Sequence, residues 1–167
     1  MKKTVAALSG ILLVVFVIAA LTMFGTDNRK TPPKVSIETQ SSEVTFNVEI
    51  AADPEARARG LMFKKRLDSG DGMLFVFPRE LSIPFWMKNT FISLDIIFAD
   101  SEGRIVDVKT MEPCTEDPCP DYHSHAPFKY ALEINAGLAN ALGIRPGALM
   151  AVDLGVAQDS PRPGPKP

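Results

Sequence analysis

The sequence predicts a mainly β, α+β fold: a curved antiparallel sheet forming a sandwich or partial barrel, with two short helices. Apolar residues alternate with polar ones at a period of two, other short apolar runs lie between glycine and proline, and the connections are short. Val35 and Ile37 begin the alternation. Val44, Phe46, Val48 and Ile50 continue it against Thr45, Asn47 and Glu49, as in a strand with one buried face.

Asp53-Pro54-Glu55 has the form of a helix start: a capping side chain, a proline in the first turn, and an acid near the positive end of the helix dipole. Gly60 closes that helix, and Leu61 packs back as the apolar residue after the cap. Gly70-Asp71-Gly72 turns into a buried strand over residues 73–77, bounded by Pro78. Strands over 94–99 and 105–109 flank Asp100-Ser101-Glu102-Gly103, a hairpin, and another strand covers 130–134. Asn135 caps a second helix over 136–142, ended by Gly143, and Arg145-Pro146-Gly147 leads into a last strand over 148–154.

These elements form one domain over residues 35–158, enough chain for one core and too little for two. Before it, residues 5–24 are interrupted only by Ser9, Gly10 and Thr22, carry no charge and follow Lys2 and Lys3. As a helix this run spans ~30 Å, the hydrocarbon thickness of a bilayer, so an uncleaved membrane anchor within residues 1–25 is expected. A cleaved signal peptide, leaving a secreted or periplasmic domain, is the alternative. Its apolar region is normally ~7–15 residues ending in small residues, of which Ala19-Ala20 supplies a weak version. Residues 26–34 form a linker that Pro32-Pro33 keeps extended, and residues 159–167, rich in proline with little apolar surface, form a disordered tail.

The lysines and arginines flanking the apolar run nearly balance, so orientation rests on the cysteines. Cys114 and Cys119 read first as one disulfide, which places the domain outside the cytoplasm; free thiols or a metal site are the alternatives. His123 and His125 share that loop, but the cysteine spacing is wider than zinc sites usually show, so no metal or cofactor is expected. Two of the 18 basic residues are Lys2 and Lys3, against 20 acidic residues in all. The remaining chain is acidic, which disfavours a nucleic-acid partner; the Lys64-Lys65-Arg66 cluster is small enough to be a solvated loop.

Five segments in order resemble the family named domain of unknown function 192. They are Arg57-Ala58-Arg59-Gly60-Leu61-Met62, Gly72-Met73-Leu74-Phe75-Val76-Phe77, Phe85-Trp86-Met87-Lys88-Asn89-Thr90, Leu94-Asp95-Ile96-Ile97-Phe98 and Leu132-Glu133-Ile134-Asn135-Ala136-Gly137. The resemblance covers roughly residues 43–154. It implies a compact β-rich fold, often behind a signal or anchor, and brings no established activity or catalytic residue. Lys64 stands where many members have arginine, and only some members carry the cysteine pair.

The most distinctive segment holds the only tryptophan, Trp86, beside Lys88 and Asn89, the mixture of aromatic area and polar anchors that a ligand pocket needs. On a plain packing reading, Phe85 and Met87 point into the core while Trp86 covers an edge and Asn89-Thr90 shapes a turn. Asp95 and Glu133 each interrupt an apolar strand, so each faces outward or is an inward carboxylate needing a partner, for which Arg59 or Lys88 is a candidate. The ligand-binding candidates are therefore Trp86, Lys88, Asn89, Asp95, Glu133 and Arg59. No glycine-flanked nucleophile elbow, phosphate-cradling loop or nicotinamide fingerprint occurs. The expected function is a non-catalytic, membrane-anchored binding module for a small molecule, glycan or envelope partner. An envelope hydrolase or lyase using Asp95, Glu133 and Lys88 is the alternative.

Overall fold

The computed structural model describes residues 31–115 and 117–155; the expected anchor, the first part of the linker and the tail lie outside them. No helix among the described residues is long and apolar enough to cross a membrane. The elements are β1 (Lys34–Glu38), β2 (Glu43–Ala51), α1 (Pro54–Arg59), β3 (Asp71–Leu81), β4 (Leu94–Ala99), β5 (Ile105–Met111), β6 (Phe128–Asn135), α2 (Leu138–Ala141) and β7 (Leu149–Asp153).

The seven strands form one sheet in the order β5-β4-β6-β3-β2-β1-β7. It is the expected curved sheet with two short helices, antiparallel at every pair except β2–β3. That pair is parallel because α1 and the residues after it carry the chain back across the sheet, as a parallel connection requires. The sheet curls into a half-barrel whose outer strands touch at one point. There Arg104 bridges Leu149, the Ile105 N–H donates to the Ala148 carbonyl at 2.9 Å, and the Met150 N–H donates to that of Gly103 at 2.8 Å. Gly103 has φ 81°, and a Cβ there would lie 2.3 Å from the Met150 carbonyl oxygen, so the closure needs glycine.

Both faces of the sheet are packed. One carries a core fed by all seven strands, including Val35, Phe46, Leu74, Ile97, Leu132 and Met150, with Ala139 of α2 against it. On the other, Phe75, Ile96, Phe98 and Phe128 are covered by Leu61, Phe85 and Met87. Phe85 sits edge-on to Phe75 and Phe98, with ring centres 5.1 and 5.6 Å away. Since β4 lies between the two cores, all six of its residues are buried.

Helix α1 starts as its sequence predicts, with the Ala56 N–H donating to Asp53 Oδ1 at 2.8 Å, and the Gly60 N–H returning to the Ala56 carbonyl at 2.9 Å. Helix α2 does not. It spans four residues, and Asn135 does not cap it: the Asn135 amide donates to the Leu67 carbonyl at 2.9 Å, while left-handed Gly137 stands at the cap position with no side-chain bond. The Ala139 N–H instead donates to Asp95 Oδ2 at 2.9 Å, a cap supplied from another strand.

Candidate functional site

The pairing of β4 with β6 decides where the two candidate carboxylates point. Asp95 lies opposite Ile134, and Ile96 opposite Glu133. Directly paired residues share a face and successive residues alternate, so Asp95 and Glu133 project to opposite faces of the sheet. They do not converge.

Asp95 is fully engaged. Besides capping α2 it accepts from the Thr110 hydroxyl at 2.7 Å, so both carboxylate oxygens are satisfied by the fold. Glu133 is the reverse. It is 4% exposed and makes no side-chain hydrogen bond or ion pair among the described residues, and burial alone pushes its carboxyl up to about 8. Near neutral pH it is therefore a protonated acid that offers one O–H donor and an acceptor oxygen.

Glu133 faces a cavity of about 30 Å³, room for a water-sized polar group. Its walls include Leu61, Phe75 and Phe85, buried Thr90 adds a hydroxyl, and Arg59, Trp86 and Lys88 stand at its mouth. Trp86 is 52% exposed, with the Lys88 ammonium 6.0 Å from its ring centre, as in a loose cation–π contact. Neither Arg59 nor Lys88 has a carboxylate partner among the described residues. Lys88 is exposed, so the buried ion pair considered for it is not formed. Arg57 differs from Arg59: it donates to the Ala52 and Val76 carbonyls and lies 5.0 Å over the Phe77 ring, which fixes the helix to the sheet.

Asn89 does not line the cavity. Its φ is 57°, and its carbonyl accepts from the Phe63 N–H at 2.8 Å, where Phe63 itself has φ 64°. Two left-handed non-glycine residues thus hold the loop after α1 against the loop after Phe85, the kind of backbone strain that surrounding structure must maintain. Phe63 and Phe91 meet edge-on at 6.2 Å while remaining 60% and 57% exposed. A second cleft, of about 570 Å³, continues from the first. Arg59, Gly60 and Met62 line both, and the larger one extends over Glu49, Ala51 and Met73.

The Cys114 and Cys119 sulfurs lie at disulfide distance, 2.12 Å. Their loop braces the site, because the Phe85 and Tyr122 backbones exchange hydrogen bonds of 2.9 and 2.8 Å. His125 anchors the loop's end: its backbone N–H and Nδ1 reach Asp107 Oδ2 at 3.2 and 3.1 Å, and Lys109 reaches the same oxygen at 3.2 Å. Burial raises the Asp107 carboxyl, but the bonds from His125 and Lys109 outweigh it and hold the group below the usual carboxylate range. Sequence reasoning did not select Thr90, Gly60, Phe63 or Phe91 as site residues. Gly60 carried a signal of another kind, since it was already assigned to the helix end. A Cβ there would meet the Phe75 ring at 3.3 Å at a positive φ of 49°.

Two solved structures share this architecture. A protein described as a candidate transcription regulator from Sinorhizobium meliloti is 34% identical, with a TM-score of 0.66 over 72% of this chain and 92% of that one. A protein of unknown function from Novosphingobium aromaticivorans is 30% identical, with a TM-score of 0.65 over 76% of this chain and 97% of that one. A UPF0127 protein of Pyrococcus abyssi is 31% identical over 112 residues, which is 66% of this chain and 89% of the relative. One from Pyrococcus horikoshii is 41% identical over 68 residues, 40% of this chain and 56% of that protein. The family model DUF192, whose description reads uncharacterized ACR, matches residues 35–152, and with the Pyrococcus abyssi relative it shows that the chain belongs to the DUF192 family.

Proposed function

We propose that this domain is a non-catalytic binding module held at a membrane by residues 5–24, with the Glu133 cavity as its ligand site. The observation that carries the reading is a carboxyl group on a 4% exposed residue that has no partner among the described residues and opens onto a polar-mouthed cavity. A ligand hydroxyl or amide would take the place of solvent at that carboxyl and supply the partner the fold does not. Arg59 and Lys88 would take an acidic group on the same ligand, and Trp86 would cover its apolar face.

The hydrolase or lyase alternative has less support. Paired-carboxylate hydrolysis needs two acids within ~5–9.5 Å of each other flanking one bond, and Asp95 is turned to the other face and used as a cap. A role in transcription regulation, the description carried by the Sinorhizobium meliloti protein, has less support, since the helices of six and four residues are short for a groove-reading element.

The test is thermal unfolding of the full chain in detergent against a panel of small hydroxylated acids, in wild type and Glu133→Met, which keeps most of the side-chain volume and removes both the donor and the acceptor. A true ligand at ~100 times its dissociation constant stabilises the wild type by about 2.7 kcal/mol, and the variant should lose most of that gain. Equal stabilisation of both proteins by every active compound would remove Glu133 from the site.

A further inference from the structure

The Glu133 cavity is too small for a whole ligand, and it does not stand alone. Glu49 pairs with Met73, and Met73 pairs with Glu133, so these three side chains form one row across β2, β3 and β6 on the same face. Two strand spacings separate the ends of that row, ~10 Å. The larger cleft lies over its first half and the small cavity over its end, with Arg59, Gly60 and Met62 common to both.

Resting on the reading of Glu133 as a ligand site, we propose that the occupant is an extended acidic sugar chain lying across β2, β3 and β6. One of its hydroxyls drops to Glu133, and a carboxylate meets Arg59 where the two clefts join. The walls favour this occupant over a peptide. The floor is a sheet face whose backbone is already paired, so strand addition is unavailable there. The larger cleft mixes Glu55 and Arg59 with Met62 and Phe63, where a helical peptide would need a continuous apolar stripe. A hydroxylated chain both donates to and accepts from such a wall, and the exposed faces of Phe63 and Trp86 supply apolar area at its two sides. Charge agrees as well: among the described residues of the two linings Lys64 is paired with Glu49, Arg57 is held by two carbonyls and Asp53 caps α1, which leaves Arg59 and Lys88 to meet a ligand carboxylate, with Glu55 the one uncommitted acid at the cleft's side.

Trp86 is the only tryptophan, so its fluorescence reports on the mouth of the cavity directly. The full chain in detergent is titrated with oligouronates of one, two and four residues, and with neutral oligoglucans of the same lengths. Affinity should rise at least ~10-fold from the single unit to the longer chains, a gain of about 1.4 kcal/mol. Phe63→Ser should flatten that rise. Glu133→Met should weaken every length alike, and Arg59→Gln should remove the preference for uronates over neutral chains. Length-independent affinity, or equal affinity for neutral and acidic chains, overturns the proposal. If no sugar binds but other small acids do, and Glu133→Met abolishes their binding, the chain-like ligand is wrong while the Glu133 site stands. If no response depends on Glu133, both are wrong.

Discussion

Asp95 and Glu133 lie on adjacent strands, one pairing position apart, and are 2% and 4% exposed. Asp95 has two hydrogen-bond donors from its own fold and completes the start of α2; Glu133 has none and faces a cavity. The pairing phase alone sent one carboxylate toward a helix end and the other toward a cleft. Burial by itself therefore says little about role. What distinguishes a structural acid from a binding acid is whether the protein supplies its partners.

The sharpest way to break this contrast is pH. Glu133 has a folded value near 8 against 4.5 for the free side chain. Between those values the folded state holds a proton that the unfolded state has released, so stability falls as pH rises through that window and levels off above it. The loss should be on the order of 5 kcal/mol. Glu133→Gln should abolish that slope and be the more stable protein at pH 8, as followed by urea unfolding between pH 4 and 9. Asp107, held below its usual range, acts at lower pH with the opposite sign and does not imitate the effect. An unchanged slope in the variant would mean that Glu133 ionises freely.

On the other face, Asp95→Ala should cost about 1–3 kcal/mol at neutral pH, because it strands the buried Ala139 N–H, while the exposed Thr110 hydroxyl turns to water. Hydrogen exchange should show α2 opening while the Trp86 region stays protected. If ligand binding at Trp86 fell in step with stability, the two faces would not be independent. The smallest change is expected for Lys88→Met, whose stability should stay within ~0.5 kcal/mol of wild type because the side chain is exposed. Acidic ligands should nevertheless bind more weakly. A large loss of stability would reveal a partner for Lys88 that the fold does not display.

Much of this was legible in the sequence, and the reasons for the gaps are physical. Alternation marked Val44, Phe46, Val48 and Ile50 as a strand, and Asp53-Pro54 marked the start of α1, because both signals act within a few residues. Phe85 and Met87 inward with Trp86 outward follows from the same local alternation. The α2 cap was not legible, since its acceptor lies 44 residues away on β4. The parallel β2–β3 pair and the separation of Asp95 from Glu133 depend on the register between strands distant in sequence, which no single strand's pattern encodes. Asn89 likewise depends on a partner far away in sequence: it lies outside the cavity lining, and its carbonyl accepts from the Phe63 N–H.

The closure between β7 and the start of β5 also bears on the order in which the chain can fold. Among the described strands β7 is the last to be synthesised, yet it pairs along β1, the first of them, and touches β5 at Gly103. Until residues as far as Asp153 are available, β1 presents an open edge of Val35 and Ile37, and the first core lacks Met150. A nascent chain stopped short of β7 would thus carry a free strand edge beside exposed apolar surface, the combination that recruits other chains. The domain is finished from its two ends together, so chain growth itself imposes a waiting period during which the half-built sheet must be kept from pairing with its neighbours.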